Sequence, residues 1–126
     1  MNIMQLDHLV LTVKDIEATC RFYAGHLGME VITFGDNRKA LRFGKQKINL
    51  HQLGNEFEPK AAKPTSGSAD LCFLSDTPLE DIKVELQQAG IEILEGPVKR
   101  TGASGPIISI YLRDPDNNLI EISNAL

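Results

Sequence analysis

Few residues in this chain can carry chemistry, so where they stand is informative. Histidine occurs three times, at positions 8, 26 and 51. His8 lies in the run Leu6-Asp7-His8-Leu9-Val10-Leu11-Thr12-Val13, His51 closes Ile48-Asn49-Leu50-His51, Asp70 opens Asp70-Leu71-Cys72-Phe73, and Glu121 interrupts Leu119-Ile120-Glu121-Ile122. Successive side chains of a strand take opposite faces. Leu9 and Leu11, Ile48 and Leu50, Leu71 and Phe73, and Ile120 and Ile122 therefore take the core face, and His8, His51, Asp70 and Glu121 the opposite one. Imidazole and carboxylate are donors for a borderline divalent ion, and either can move a proton near neutral pH. An acid such as Glu121 on the inward side of an apolar strand needs a charge partner. His26 sits on a helical stretch without such a setting and reads as a surface residue.

An internal repeat places these residues. Residues 7 to 31 fall on residues 69 to 93 at a constant offset of 62, as between positions 8 and 70. Each copy begins strand then helix: Leu9, Leu11 and Val13 alternate, then Ile16, Cys20, Tyr23 and Leu27 recur at helical spacing. Asp15 is placed to cap the first helix. Thr77-Pro78-Leu79-Glu80 reads as a capping box with proline at the first helical position, ahead of the stripe Leu79, Ile82, Leu86 and Ala89. Gly28 and Gly90 supply the left-handed residue that closes each helix. Three extended segments follow in each copy, near 29 to 34, 39 to 43 and 47 to 53, and near 91 to 95, 107 to 113 and 118 to 123. Matching His51 with Glu121 lengthens the offset to 70, and the extra residues are assigned to a loop from Gly96 to Pro106. Module one then spans 4 to 53, a linker holding Pro59 and Pro64 spans 54 to 68, and module two spans 69 to 124 of a single domain, 1 to 126.

Composition narrows the function classes. With 126 residues, 42% hydrophobic and 24% charged, the chain reads as one folded domain without a disordered tail. A net charge of -4 with scattered lysines and arginines argues against a nucleic-acid surface. No apolar run is long enough to span a membrane, and the start Met1-Asn2-Ile3-Met4 lacks a basic leader, so a cytoplasmic protein is expected. Cys20 and Cys72 are expected as buried free thiols.

The twice-repeated order strand, helix, three strands resembles the vicinal-oxygen-chelate superfamily of glyoxalase I, fosfomycin-resistance proteins and extradiol dioxygenases. The motifs are Leu6 to Val13, Phe22-Tyr23-x-x-x-Leu27-Gly28-Met29, and Tyr111-Leu112-Arg113-Asp114-Pro115-Asp116-Asn117-Asn118-Leu119-Ile120-Glu121. Asn49-Leu50-His51 and Glu56 to Ala62 also look like the group around glyoxalase-domain-containing protein five, with its bacterial virulence proteins. The resemblance implies an α+β fold of two tandem βαβββ modules forming a curved mixed-sheet cup. It implies one divalent ion per site, Zn, Ni, Co, Mn or Fe(II), held by His8, His51 and Glu121, with Asp70 at the fourth position. It also implies a homodimer, which would cover the open edges of the sheets. Tyr111 shares the inward phase with Ser109 and Arg113 and precedes Glu121 by ten residues, as the substrate-binding tyrosine does in extradiol dioxygenases. Asp114 to Asn118 is expected to form the turn that aims the Glu121 strand, with Leu41 and Phe43 at the repeat positions of Tyr111 and Arg113 as an apolar wall.

Three function classes follow from the resemblance, all on a small molecule with vicinal oxygens. A glyoxalase-like lyase or isomerase would use Glu121 to move a proton between adjacent carbons, with the metal as Lewis acid. An Fe(II) extradiol ring-cleavage dioxygenase would use the same ligands and Tyr111. The family's acid/base histidine would then fall where this chain has Gly102-Ala103-Ser104, which favours the lyase. The third class, a binding or resistance protein, generally lacks the ligand set.

Overall fold

Alternating apolar residues and a capped amphipathic helix open the first repeat, and the same order opens the second. The computed structural model describes all residues, Met1–Leu126. It contains β1 (His8–Val13), α1 (Ile16–Gly25), β2 (Glu30–Phe34), β3 (Arg38–Phe43) and β4 (Gln46–Gln52), then β5 (Asp70–Leu74), α2 (Leu79–Gln88), β6 (Glu95–Thr101), β7 (Pro106–Arg113) and β8 (Leu119–Ala125). The chain divides into two compact units, Met1–Gly67 and Ser68–Leu126. Each is one βαβββ module with a four-stranded mixed sheet, in the order β1-β4-β3-β2 or β5-β8-β7-β6.

In unit one, β1 runs parallel to β4, with His8 opposite Lys47 and Thr12 opposite His51, and β2 and β3 complete the sheet antiparallel. Helix α1 packs on the face of Leu11, Val13, Leu41, Ile48 and Leu50, where its own Tyr23 is fully buried. Asp15 caps α1, its Oδ1 accepting from the Ala18 amide at 3.2 Å. Gly28 closes the turn beyond the helix at φ 71°, a conformation that favours glycine.

Unit two repeats this plan. Leu79, Ile82 and Leu86 of α2 pack with Ile110, Leu112, Ile120 and Ile122. Its helix start departs from the expected capping box. Pro78, not Thr77, is the N-cap residue, and no side chain of its own caps the helix. Instead the Leu79 amide donates to Asn124 Oδ1 at 2.7 Å, and Asn124 Nδ2 donates to the carbonyls of Ser75 and Thr77. A long-range partner satisfies the end that local sequence was expected to satisfy.

Two further expectations are corrected. The segment from Gly96 to Pro106 is not all loop: Glu95–Thr101 is β6, paired with β7 through a bulge between Glu95 and Val98. Pro97 is tolerated there because β6 is an edge strand, and Gly96 takes φ 107° at the bulge. Both cysteines are free, but neither is fully buried, and Cys72 is exposed because it shares a face with Glu121 rather than with Leu71 and Phe73.

Candidate functional site

The register of each sheet fixes which polar side chains stand together on the face away from the helix. In unit one the rows across the sheet are Thr12, His51, Arg38 and Phe34; Val10, Asn49, Ala40 and Ile32; and His8, Lys47, Arg42 and Glu30. In unit two the central row is Cys72, Glu121, Tyr111 and Glu95, flanked by Leu74, Ser123, Ser109 and Val98 on one side and by Asp70, Leu119 and Arg113 on the other.

These registers correct the repeat alignment. His8 and Asp70 are equivalent, and so are their parallel-strand partners Lys47 and Leu119. Glu121 therefore corresponds to Asn49, and His51 to Ser123, two residues from the expected match. A shift of two keeps each side chain on its face, so face alternation alone could not reveal it. Tyr111 opposes Glu121 as Ala40 opposes Asn49, and Leu41, fully buried on the helix side, is no wall of this face.

His8 and His51 share a face, but His51 lies four residues further along the adjoining strand, roughly 13 Å away at strand rise. They are not brought together. His8 is exposed, with Nδ1 held by Asp7 Oδ1 at 2.8 Å. That contact favours a proton on Nδ1, the arrangement in which carboxylates orient metal-binding imidazoles. His51 is 3% exposed, and its Nε2 accepts from Arg38 Nη2 at 3.3 Å. Burial first, and then the Arg38 charge, push its pKa below the ordinary value. In this arrangement His51 Nε2 is engaged by a guanidinium, unlike the other expected ligands. Phe57 from the linker packs edge-on against the His51 ring, 5.5 Å between centroids.

Unit two brings Asp70, Tyr111 and Glu121 to one cavity of about 470 Å³, which Glu95, Arg100 and Arg113 also line. A neighbouring cavity of about 510 Å³ shares Arg100 and Glu121 and is bounded by the Gly102 to Gly105 loop. Glu121 Oε2 accepts from Ser109 Oγ at 2.6 Å. An ionised carboxylate only accepts, so the Ser109 proton points to Glu121. Ser123 Oγ lies 2.6 Å from Ser109 Oγ and donates to the same carboxylate oxygen at 3.4 Å, and the Cys72 thiol is 3.4 Å from Ser123 Oγ. Desolvation raises the Cys72 pKa, which keeps that thiol protonated. Arg100 Nε donates to the Tyr111 hydroxyl at 3.0 Å. The Tyr111 phenol is raised, by burial first and by Glu121, so it keeps its proton and offers it to that carboxylate. Sequence reading missed Arg100 because β6 was taken as loop, and missed Arg38 although Arg38, Ala40 and Arg42 alternate in phase with His51.

Within either unit, no three His, Cys, Asp or Glu side chains converge as a ready cage. The available donors are Nε2 of His8 in unit one, and in unit two Asp70 and Glu121 Oε1, on the carboxylate whose Oε2 the serines hold. Imidazole nitrogen and carboxylate oxygen suit a divalent ion.

A family model for the Glyoxalase/Bleomycin resistance protein/Dioxygenase superfamily matches residues 5–122. The chain belongs to this superfamily. Among its superfamily relatives, the virulence protein STM3117 of Salmonella typhimurium is 65% identical, across 98% of this chain and 85% of that one. The crystal structure of STM3117 superposes with a TM-score of 0.98, at 63% identity and with full coverage of both chains. The glyoxalase domain-containing protein RDO1 of Mycosarcoma maydis is 59% identical, over 98% of this chain and 70% of its own length. Lactoylglutathione lyase from Agrobacterium tumefaciens, 19% identical, shares the fold at a TM-score of 0.75 over 98% of this chain and 96% of its own. The two-module βαβββ architecture is thus the superfamily's. No helix is long and apolar enough to cross a membrane.

Proposed function

We propose that this chain is a divalent-metal-dependent enzyme that moves a proton on a small molecule with adjacent oxygens, by lyase or isomerase chemistry. The observation that carries this reading is the half-buried Glu121 carboxylate, held through one oxygen by Ser109 and set beside the Tyr111 phenol in an open cavity. His8 and Glu121 are the proposed metal ligands, with Asp70 in a lesser role. When bound, the ion supplies Lewis-acid polarisation of the substrate's oxygens.

The protein's own groups do the rest. Ser109 and Ser123 fix the Glu121 carboxylate beside the Tyr111 phenol, placed to take a proton from the substrate and return it. Tyr111, with its hydroxyl oxygen bound by Arg100, stands protonated at the cavity wall, where its proton can turn from Glu121 to a substrate oxygen. Arg113 and Arg100 stand on that wall among the carboxylates of Asp70, Glu95 and Glu121, donors that an oxygen-rich substrate can meet. The second reading, an Fe(II) ring-cleaving dioxygenase, is favoured by Tyr111 in the cavity beside Glu121. The Gly102 to Gly105 loop offers no histidine to serve it as acid or base. The same reading takes the protein as a cytoplasmic homodimer.

Elemental analysis of protein purified without a metal-chelating column provides the test. His8→Ala and Glu121→Ala should each lose most of the bound divalent metal, Asp70→Ala less, and His51→Ala almost none. Full occupancy in His8→Ala would remove that ligand assignment. Turnover of a hemithioacetal or hydroxy-ketone without oxygen, with Zn(II), Ni(II), Co(II) or Mn(II), is expected. Oxygen-consuming cleavage of a catechol with Fe(II), lost in Tyr111→Phe, would instead establish the dioxygenase.

A further inference from the structure

The unit-one face carries two buried polar atoms that have no partner: Arg38 Nε, a donor, and Asn49 Oδ1, an acceptor. Each such atom is destabilising when nothing answers it. They lie on the same face of neighbouring strands, since Arg38 opposes His51 and Ala40 opposes Asn49. That makes Arg38 and Asn49 diagonal neighbours, with side chains rooted about 7–8 Å apart. Asn49 is 6% exposed. Ala40, the residue directly across from Asn49, carries only a methyl group where Tyr111 stands in the other module.

Arg38 is held by two aromatic rings and an imidazole. Its guanidinium carbon sits 4.4 Å from the Phe57 ring centroid and 5.0 Å from that of Phe34, and Nη2 is engaged by His51. No ion pair joins it to a carboxylate. Lys47, its ammonium 3.9 Å from the Phe34 centroid, adds a second positive charge on the same face. Glu56, the nearby acid, is engaged by the Gly54 amide and by Lys60.

We propose that this face binds a small carboxylate bearing a hydroxyl on the adjacent carbon, with Arg38 holding the carboxylate and Asn49 Oδ1 accepting the hydroxyl proton. Both orphaned atoms then gain partners, and the guanidinium gains a counter-charge. Charge selects a carboxylate over a diol. The Asn49 acceptor selects a ligand that still carries a donor, which acetate lacks. A trapped water could match the two atoms but not the charge. The site uses neither His8 nor Glu121.

The test is a titration of the isotopically labelled full chain, followed by nuclear magnetic resonance, as purified and again after passage over a chelating resin. The probes are glycolate, acetate, propane-1,2-diol and inorganic phosphate. Glycolate should bind saturably in both preparations and shift the Arg38 Nε–H and Asn49 side-chain signals, and acetate should bind about tenfold more weakly. Arg38→Lys and Asn49→Leu should each weaken glycolate about tenfold or more, while His8→Ala leaves it unchanged. Equal binding of acetate and glycolate, preference for phosphate, or no saturable glycolate binding by the unmodified chain would overturn the proposal without touching the metal assignment. Loss of glycolate binding on metal removal or in His8→Ala would also overturn it, by assigning the ligand to the metal.

Discussion

The two sheet faces share strand order and register, and they present opposite chemistry. In unit one the central and flanking rows hold Asn49, His51 and Arg38 beside Phe34 and Phe57, a neutral imidazole under a guanidinium. In unit two the same positions hold Glu121, Ser123 and Ser109, a carboxylate bound by two hydroxyls. Duplication has preserved the helix-facing side, where volume and apolarity decide folding, and has left the other side free to diverge. The backbone differs as well: β2 pairs regularly with β3, whereas β6 carries a bulge, and the hairpin before β4 is a short turn at Gly44 and Lys45 where that before β8 is a five-residue Asx turn.

The bulge gives the largest expected effect. A Cβ on Gly96 would meet the Ser109 carbonyl at 2.3 Å and Ile110 Cα at 2.9 Å, both backbone, at φ 107°. Gly96→Ala should lower stability by about 4 kcal/mol in urea unfolding. It should also disturb Glu121 and Tyr111, since Ser109 binds the one and β7 carries the other. Gly35→Ala in unit one, at φ 54° with only Arg38 Cδ at 3.8 Å, should cost about 1 kcal/mol. Equal costs would mean that the bulge is no rigid feature of β6.

The turn ahead of β8 comes next. Asp114 Oδ1 accepts from the amides of Asp116 and Asn118, Oδ2 accepts from Asn118 Nδ2, and Asn118 Oδ1 accepts from the Ala69 amide. All three side chains are buried. Asp114→Ala strands their donors and should cost about 3 kcal/mol, while Lys45→Ala in the corresponding turn of unit one should change stability by less than about 0.5 kcal/mol. Circular dichroism melts of the two variants would make the comparison.

Sequence legibility follows the same division. Strand and helix order, the Asp15 cap, Gly28, Gly90 and the Asp114 to Asn118 turn all rest on local rules, and they could be read. The bulged edge strand could not, because Gly96 and Pro97 are loop signals unless the partner strand is known. The α2 cap could not either, since Asn124 reaches it from the far end of the module. For the site, alternation placed His8, His51, Asp70 and Glu121 on the right face. Register along the strand is a pairing property, so the sequence could not separate His51 from His8, or place Arg38 against it.

The smallest effect concerns His51, and it distinguishes the faces by pH. Its pKa in the folded chain is lowered by burial and by Arg38, from an ordinary value of 6.5. Below that ordinary value the unfolded chain takes up a proton that the folded chain refuses, so protons favour unfolding. The neutral-imidazole contribution is therefore fully present above pH 6.5 and is lost as pH falls through the lowered folded value. The acidic face has no histidine and adds no titration of this kind between pH 7 and 5.5. Urea midpoints should then fall modestly over that interval in the unmodified chain, and fall less in His51→Gln. An identical slope in both would mean that the Arg38 guanidinium does not hold the His51 ring neutral, and the contrast between a cationic and an acidic face would lose its clearest reporter.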